Sequence, residues 1–264
     1  MESLSRAFTN PEVKESVQSG HEDRDVAKTV LLLSSGIDST SLLCLASKYY
    51  TEIQPMFFRY GNLAQDVEEE QSKKLVEWAR NNVTGCFIHE LEVVDISEQL
   101  SQLIDSPETF SGRDSSDHDH TVGYVPMRNM IFVSYAAAFA ANRGYGSVLV
   151  GDSLDDFLHD EPVGSPTTHI RRTFIYLLDQ IVQMNSLKGD VRVRAPLLDG
   201  RFSYTDSIDL LMENGWPLEF SYSCFEISDP DNPSPCGKCS TCRDRIEAFE
   251  RAGYLDPLMM GGIQ

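Results

Sequence analysis

Nowhere in its 264 residues does the sequence hold an apolar run near the ~18 residues that a membrane span needs. Its start shows no basic stretch followed by an apolar block, the pattern of a secretory signal. Both absences lead us to expect a cytoplasmic chain without a membrane partner. Basic residues are also scarce: 22 Lys and Arg stand against 41 Asp and Glu, a formal net charge of −19. Nucleic-acid binders use Lys and Arg to displace counterions from phosphates, and a field of this sign repels a polyanion. Stable binding of tRNA or DNA is therefore not expected. Internal repeats are lacking too, as is the Gly-Lys-Ser/Thr of a Walker loop.

What is present suits a globular protein. Hydrophobic residues make up 41% and charged residues 24% of the chain, enough for a core. Residues 1–27 are polar and aperiodic, and we read them as a mobile N-terminal tail with room for one short helix. From there strands and helices alternate. Expected strands are Thr29–Leu33, Ile53–Phe58, Phe87–Val94, Ser147–Val150 and Val191–Ala195. Expected helices are Ser39–Tyr50, Gln65–Asn82, Arg128–Asn142, Thr168–Asn185, Ser203–Asn214 and Arg243–Ala252. Ser203 is placed to cap its helix and Gly215 to end it. The alternation predicts an α/β fold, a doubly wound five-stranded parallel sheet. Residues 28–215 would form this domain, with 216–264 as a C-terminal segment packed on it. Ligands of such sheets sit beyond the carboxyl ends of the strands. Ser34–Ser39, Arg59–Asn62 and Gly151–Asp156 fall there.

Six cysteines are present, and four of them, Cys224, Cys236, Cys239 and Cys242, lie close together. Two overlapping Cys-x-x-Cys steps with one upstream thiol supply four soft ligands, the donor set of a closed structural zinc site. An iron–sulfur cluster is the rival reading of the same spacing. Cys44 and Cys86 stand alone among apolar residues and read as core. His118 and His120 fall in an acidic, serine-rich stretch and read as a solvated loop.

Ser34-Ser35-Gly36-Ile37-Asp38-Ser39 joins a strand to a helix. Small residues there let backbone N–H groups and the helix dipole hold an anion. The plainer alternative is a turn in which Asp38 or Ser39 only caps the helix. The segment resembles the pyrophosphate loop Ser-Gly-Gly-x-Asp-Ser of the N-type ATP pyrophosphatases. It departs at Ser35, where that family has glycine. Serine fits a negative φ at this place and is strained at a positive one.

This loop with a distal four-cysteine site resembles the QueC family, the 7-cyano-7-deazaguanine synthases. Further likenesses are Arg59-Tyr60-Gly61-Asn62, Asp156-Phe157, Ala195-Pro196-Leu197-Leu198 and Ser223-Cys224-Phe225. Tyr124-Val125-Pro126-Met127-Arg128-Asn129 resembles that family's Val-Pro-Gly-Arg-Asn, so Met127 stands where it has glycine. The likeness spans roughly residues 28–247. It implies an adenine-nucleotide-hydrolase-like fold and an ATP-dependent ligase of queuosine biosynthesis. In this chemistry a deazaguanine carboxylic acid is adenylated, ammonia gives the amide, and a second ATP gives the nitrile.

By that resemblance Ser34, Ser35, Gly36, Ile37, Asp38, Ser39, Arg59 and Gly61 would bind ATP. Asp38 would attend magnesium, and Arg128 would neutralise charge near the adenylate. Arg128, Asn129, Asp156, Phe157, Arg171 and Phe174 would bind the acid. A cation at a helix start opposes the dipole, which itself marks Arg128 as functional. The resemblance also implies zinc on the four cysteines and a homodimer. The chain departs from the family's Asp-Cys-Arg-x-Glu-Phe at His169-Ile170-Arg171-Arg172-Thr173-Phe174, where two carboxylates are replaced, and at a lysine replaced near Tyr204. These departures motivate an alternative in the same family: an antiviral defence enzyme that joins the acid to an amine of a partner protein.

Overall fold

The structure, a computed structural model, describes residues 11–18, 27–102, 125, 127–153, 172–186, 191–226 and 234–260. In chain order the elements begin with α1 (Pro11–Gln18), β1 (Lys28–Leu32), α2 (Ile37–Ala46), β2 (Glu52–Arg59) and α3 (Gln65–Asn82). Next come β3 (Phe87–Ile88), β4 (Glu92–Asp95), α4 (Ser97–Ser101), α5 (Arg128–Arg143) and β5 (Ser147–Leu149). The chain continues with α6 (Arg172–Asn185), β6 (Arg192–Arg194), α7 (Pro196–Asp199) and α8 (Tyr204–Glu213). A 3-10 turn (Leu218–Phe220), α9 (Ser240–Ala252) and α10 (Pro257–Met260) follow.

All strand pairings are parallel. The order is β3-β2-β1-β5-β6, with β4 also pairing β2. Strands 1 to 4 therefore grow outward on one side of β1, and β5 and β6 return on the other. The order reverses between β1 and β5, which is where such a sheet opens a crevice.

Period-two patterning assigns the two faces. In β1, Val30 belongs to one core cluster and Leu31 to the other, with Leu33 just beyond on the Leu31 side. In β5, Val148 and Leu149 divide in the same way. One face is covered by α2, α3, α8 and α9, the other by α5 and α6. Each fully buried Leu, Ile or Val contributes about 1.5–3 kcal/mol. Helix α2 is buried on nearly every side because it lies between the sheet and α8. Its buried Ser41 satisfies its hydroxyl by donating to the carbonyls of Ile37 (2.9 Å) and Ser207 (3.1 Å).

Among the described residues the sheet has six strands rather than five. The single strand expected at Phe87–Val94 is two short pieces, β3 and β4. The cause lies in the neighbouring strand. His89 N–H donates to the Ile53 carbonyl, and Leu33 N–H donates to the Met56 carbonyl. Odd-numbered residues of β2 therefore face the outer edge, and Pro55 falls among them. Proline has no N–H to give, so the ladder breaks there. Gln54 spans the gap, its Nε2 donating to the Glu90 carbonyl at 2.9 Å.

Within the segment read as a tail, residues 11–18 form α1, and Val13 is fully buried in the core beside α7. Pro196, expected only to stop a strand, also starts α7. Helix α8 carries the expected cap as a reciprocal box: Ser203 Oγ accepts from Asp206 N–H, and Asp206 accepts from Ser203 N–H at 2.8 Å. Gly215 follows with φ 67°. Cys44 is buried in the core and Cys86 half-buried at its margin. The stretches holding His118 and His120 lie outside the described residues. Among the described residues, no helix is long and apolar enough to cross a membrane.

Candidate active site and metal centre

A cavity of about 600 Å³ opens at the carboxyl ends of β1, β2 and β5. That size lies in the range of small-molecule sites. One wall is the β1–α2 loop: Ser34, Gly36, Ile37, Asp38 and Ser39 all line it. The loop is held by its own small side chains. Ser34 N–H donates to Ser39 Oγ (3.2 Å), which itself donates to the Gly36 carbonyl (3.0 Å). Thr40 Oγ1 donates to the same carbonyl at 2.9 Å. Ser207 of α8, fully buried, donates to Asp38 Oδ1 at 3.2 Å and so fixes one oxygen of that carboxylate. Gly151, after β5, must be small, because a Cβ there would lie 3.1 Å from Ser39 Cα.

Ser35 stands apart. Its φ is 59°, the left-handed region, where a Cβ costs about 1–2 kcal/mol. The side chain is fully buried, and its hydroxyl has no hydrogen-bond partner among the described residues. It does not line the cavity. Its carbonyl accepts from Tyr222 N–H at 2.9 Å, which ties the loop to the C-terminal segment. The positive φ is the strained one of the two conditions set out for serine at this position.

The opposite wall comes from the start of α5. Arg128 and Asn129 line the cavity. Met127, the residue before them, has φ 61°, so a second side chain occupies a left-handed position. Arg128 donates to Tyr60 Oη (3.3 Å), packs over that ring at 5.2 Å, and donates from Nε to Asn129 Oδ1 (3.3 Å). Its charge is thus aimed across the cavity rather than along the helix. Phe174 of α6 also lines the space, together with Phe58 and Phe132, whose rings stack at 4.4 Å.

Arg59 and Gly61, expected near the nucleotide, do not line the cavity. Arg59 is instead a hub for acidic groups: it pairs with Asp66 (2.5 Å), Glu69 and Asp95 (3.6 Å). Its guanidinium is neutralised by carboxylates, which leaves little charge for phosphate. Gly61, with φ 92°, donates its N–H to Gln65 Oε1 at 2.9 Å and turns the chain into α3. Asp156, Phe157, Arg171 and His169 lie outside the described residues. Thr173 is exposed and away from the cavity.

Among the lining residues that sequence reading did not assign to the site are Glu68, Tyr204, Tyr222 and Asp244. Glu68 carried a signal. It shares the stripe of Ser72, Leu75 and Ala79 on α3, all buried, and a carboxylate on an apolar stripe asks for a reason. Tyr222 becomes visible only once the C-terminal segment folds over the loop.

That segment gathers the cysteines. The Sγ atoms of Cys224, Cys236, Cys239 and Cys242 all lie within 4.8 Å of one another. Cys236 and Cys242 are 3.9 Å apart, close to the ~3.8 Å edge of a tetrahedron with ~2.3 Å metal–sulfur bonds. Gly237, at φ 70°, makes the tight turn between the first two thiols of the run. Backbone N–H groups of Glu226 and Cys236 point at Cys224 Sγ, and that of Cys239 at Cys236 Sγ, each at 3.3 Å. Such donors suit sulfur carrying negative charge. Hydrogen bonding from Cys224 and Cys242 holds the Cys239 thiol well below the ordinary range. Hydrogen bonding to Cys224 and Cys239 holds Cys242 well above it. The array thus favours one thiolate by itself, and a bound cation is what lets the others ionise. The four residues can hold one metal ion.

Just behind, Arg245 is fully buried on α9. It makes a bidentate pair with Asp256 (2.7 and 2.8 Å), donates to Ser221 Oγ (3.0 Å) and lies over the Phe249 ring at 5.1 Å. The hydrogen bond to Ser221 ties α9 to the irregular segment that carries Tyr222.

The chain was compared with known proteins. The family model for the queuosine biosynthesis protein QueC matches residues 28–253. The 7-cyano-7-deazaguanine synthase of Clostridium kluyveri is 30% identical over 89% of this chain and 98% of its own. That of Persephonella marina is 32% identical over 86% and 94%, and that of Oceanobacillus iheyensis 32% over 88% and 97%. Among solved structures, NMN synthetase from Francisella tularensis shares the fold, with TM-score 0.50 and 12% identity over 99% of this chain and 91% of that one. A small-residue loop at the reversal of a parallel sheet, a four-cysteine centre beside it, and a family match across nearly the whole described length agree. The chain belongs to the QueC family, ATP-dependent enzymes of the pyrophosphate-loop superfamily.

Proposed function

We propose that the chain converts 7-carboxy-7-deazaguanine to 7-cyano-7-deazaguanine with ATP and ammonia. The supporting observation is the single cavity that sets the Ser34–Ser39 loop against Arg128 and Asn129. The loop's N–H groups and the start of α2 receive the phosphates that leave as pyrophosphate. Arg128 faces the charge that develops as the substrate carboxylate attacks the α-phosphorus. Tyr60 and Asn129 hold its guanidinium in place, so little reorganisation is needed at the moment of reaction. Phe58, Phe132 and Phe174 supply apolar surface for a flat heterocycle. Ser207 presents Asp38 toward the phosphate end, where magnesium, when bound, would neutralise phosphate charge. Zinc on the four cysteines would hold the C-terminal wall and take no part in the reaction. A cytoplasmic enzyme is in keeping with these substrates.

The test is incubation of metal-replete protein with ATP, magnesium, 7-carboxy-7-deazaguanine and ammonium, followed by mass spectrometry. The expected products are the nitrile, AMP and pyrophosphate. No AMP release with this acid overturns the proposal. Amide without nitrile, or mass gained by an added protein, assigns a different end to the same activation.

A further inference from the structure

Displacement of adenylate by ammonia leaves a nitrogen that must lose a proton, and the residues assigned so far provide no acceptor for it. Among the described residues the cavity is lined by no histidine and no lysine. The described histidine, His89, pairs with Glu52 at 2.9 Å, away from the cavity. The carboxylates that line the cavity are Asp38, Glu68, Asp152, Asp244 and Glu247. Asp38 is committed to Ser207 at the phosphate end. Asp244 and Glu247 are exposed, and Glu247 pairs with Arg251. Asp152 is half-buried after β5, next to Gly151, which packs on Ser39 of the β1–α2 loop. Glu68 differs from all four in its position. It projects from the inward stripe of α3 into the wall that also carries Arg128 and Asn129.

We propose that Glu68 is the proton acceptor for the attacking nitrogen, a role that rests on the function proposed above. In this step the nitrogen lone pair forms the C–N bond to the acyl carbon. The C–O bond to adenylate breaks, and its electron pair leaves on AMP. One N–H proton passes to Glu68, which returns it to solvent through the cavity mouth. The surroundings fit the task. Asn62 Nδ2 donates to Glu68 Oε2 at 3.0 Å, whereas Oε1 has no donor among the described residues. The other oxygen of this pair, Asn62 Oδ1, is buried without a partner among the described residues. A carboxamide can donate to a carboxylate and, turned over, accept from a carboxylic acid. Asn62 can therefore serve Glu68 in both protonation states. The groups that face Glu68 are Arg128 of α5 and the phenols of Tyr60 and Tyr222. Burial pushes the Glu68 carboxyl up to about 7, against the downward pull of Asn62 and Arg128. A base is most effective when it titrates near the working pH.

The test separates the two half-reactions. Exchange of labelled pyrophosphate into ATP, driven by 7-carboxy-7-deazaguanine without ammonium, reads adenylation. Amide formation with ammonium, followed across neutral pH, reads proton transfer. Glu68→Gln keeps the shape and the contact with Asn62. Its amide formation is expected to fall about 10²- to 10³-fold, while exchange falls only a few-fold. With the concentration of free ammonia held constant at each pH, the rise of rate through neutral pH should vanish in Glu68→Gln and persist in Glu68→Asp at an intermediate rate. Equal loss of exchange and amide formation would show that Glu68 only builds the wall. Unchanged amide formation would show another acceptor. If the wild-type protein itself gives no exchange, the proposed function falls and this role with it.

Discussion

The two ends of the cavity are built on opposite principles. At the Ser34–Ser39 end the chain is shaped by backbone and small hydroxyls, and it carries strain. Ser35 sits at left-handed φ where the related motif has glycine, and on the facing wall Met127 does the same before Arg128. At the far end the segment around Cys224 to Asp256 is closed by side chains reaching across the chain, namely four thiols and a buried ion pair. The strained loop is held in place by the sheet and by α8, whose Ser207 bonds Asp38. At the far end the described residues between Cys224 and α9 form no helix or strand, and the segment depends on charge neutralisation. Strain at one end is thus carried by packing, while order at the other depends on a few specific bonds.

Breaking the far end should have the largest effect. Metal binding of this type is worth about 10–16 kcal/mol. A chelator, or Cys242→Ser, should release α9 and expose Tyr222 while β1, β2 and β5 stay protected. Hydrogen exchange resolved by segment reads this, and uniform loss of protection would sink the division into two ends. Second in size is Asp256→Ala. It strands a fully buried guanidinium and should cost about 3–5 kcal/mol in urea unfolding. Replacing both partners with apolar residues of similar volume should cost much less.

A smaller effect depends on pH. The Glu68 carboxyl is held up to about 7 from its ordinary 4.5. The folded state therefore binds a proton that the unfolded state has released across that window. Its contribution is fully present below the lower value and is lost as pH rises through the upper one. The stability of Glu68→Gln relative to wild type should increase from pH 5 to pH 8, and a constant difference would contradict the burial of this group. Smallest is relief at the strained end. Ser35→Gly should stabilise by about 1 kcal/mol or more, because it removes both the Cβ penalty and an orphaned hydroxyl. Ser35→Ala should recover only the hydroxyl's share. Met127→Gly, at an exposed position, should recover the backbone share alone. Thermal unfolding reads all three, and a destabilised Ser35→Gly would mean that the loop needs the side chain.

Much of this was legible from residue order. The period of the apolar residues placed β1, β2, β5 and β6 and the longer helices that cover the sheet, and Gln65–Asn82 matched its element at both ends. Ser203 and Gly215 marked the limits of α8 because their chemistry is local. The two-piece edge strand was not legible. Pro55 matters there only because its missing N–H faces outward, and that depends on pairing with β1. Arg59 was misplaced for a similar reason. It lies beyond a strand end, where ligands gather, but Asp66 and Glu69, one helix turn apart on α3, reach its guanidinium first.

The sequence by itself determined the alternation of strands and helices, the loop from Ser34 to Ser39, and the four thiols at chelating intervals. Each depends on neighbours within a few positions, where spacing fixes geometry. Tertiary structure alone decided that Tyr222 would close over Ser35, that Ser207 would hold Asp38 from 169 positions away, and that Glu68 would face the cavity. Those relations arise when a parallel sheet reverses its order and brings remote segments to one edge. No local pattern encodes such a meeting, because its driving force is the burial of surfaces that share no stretch of chain.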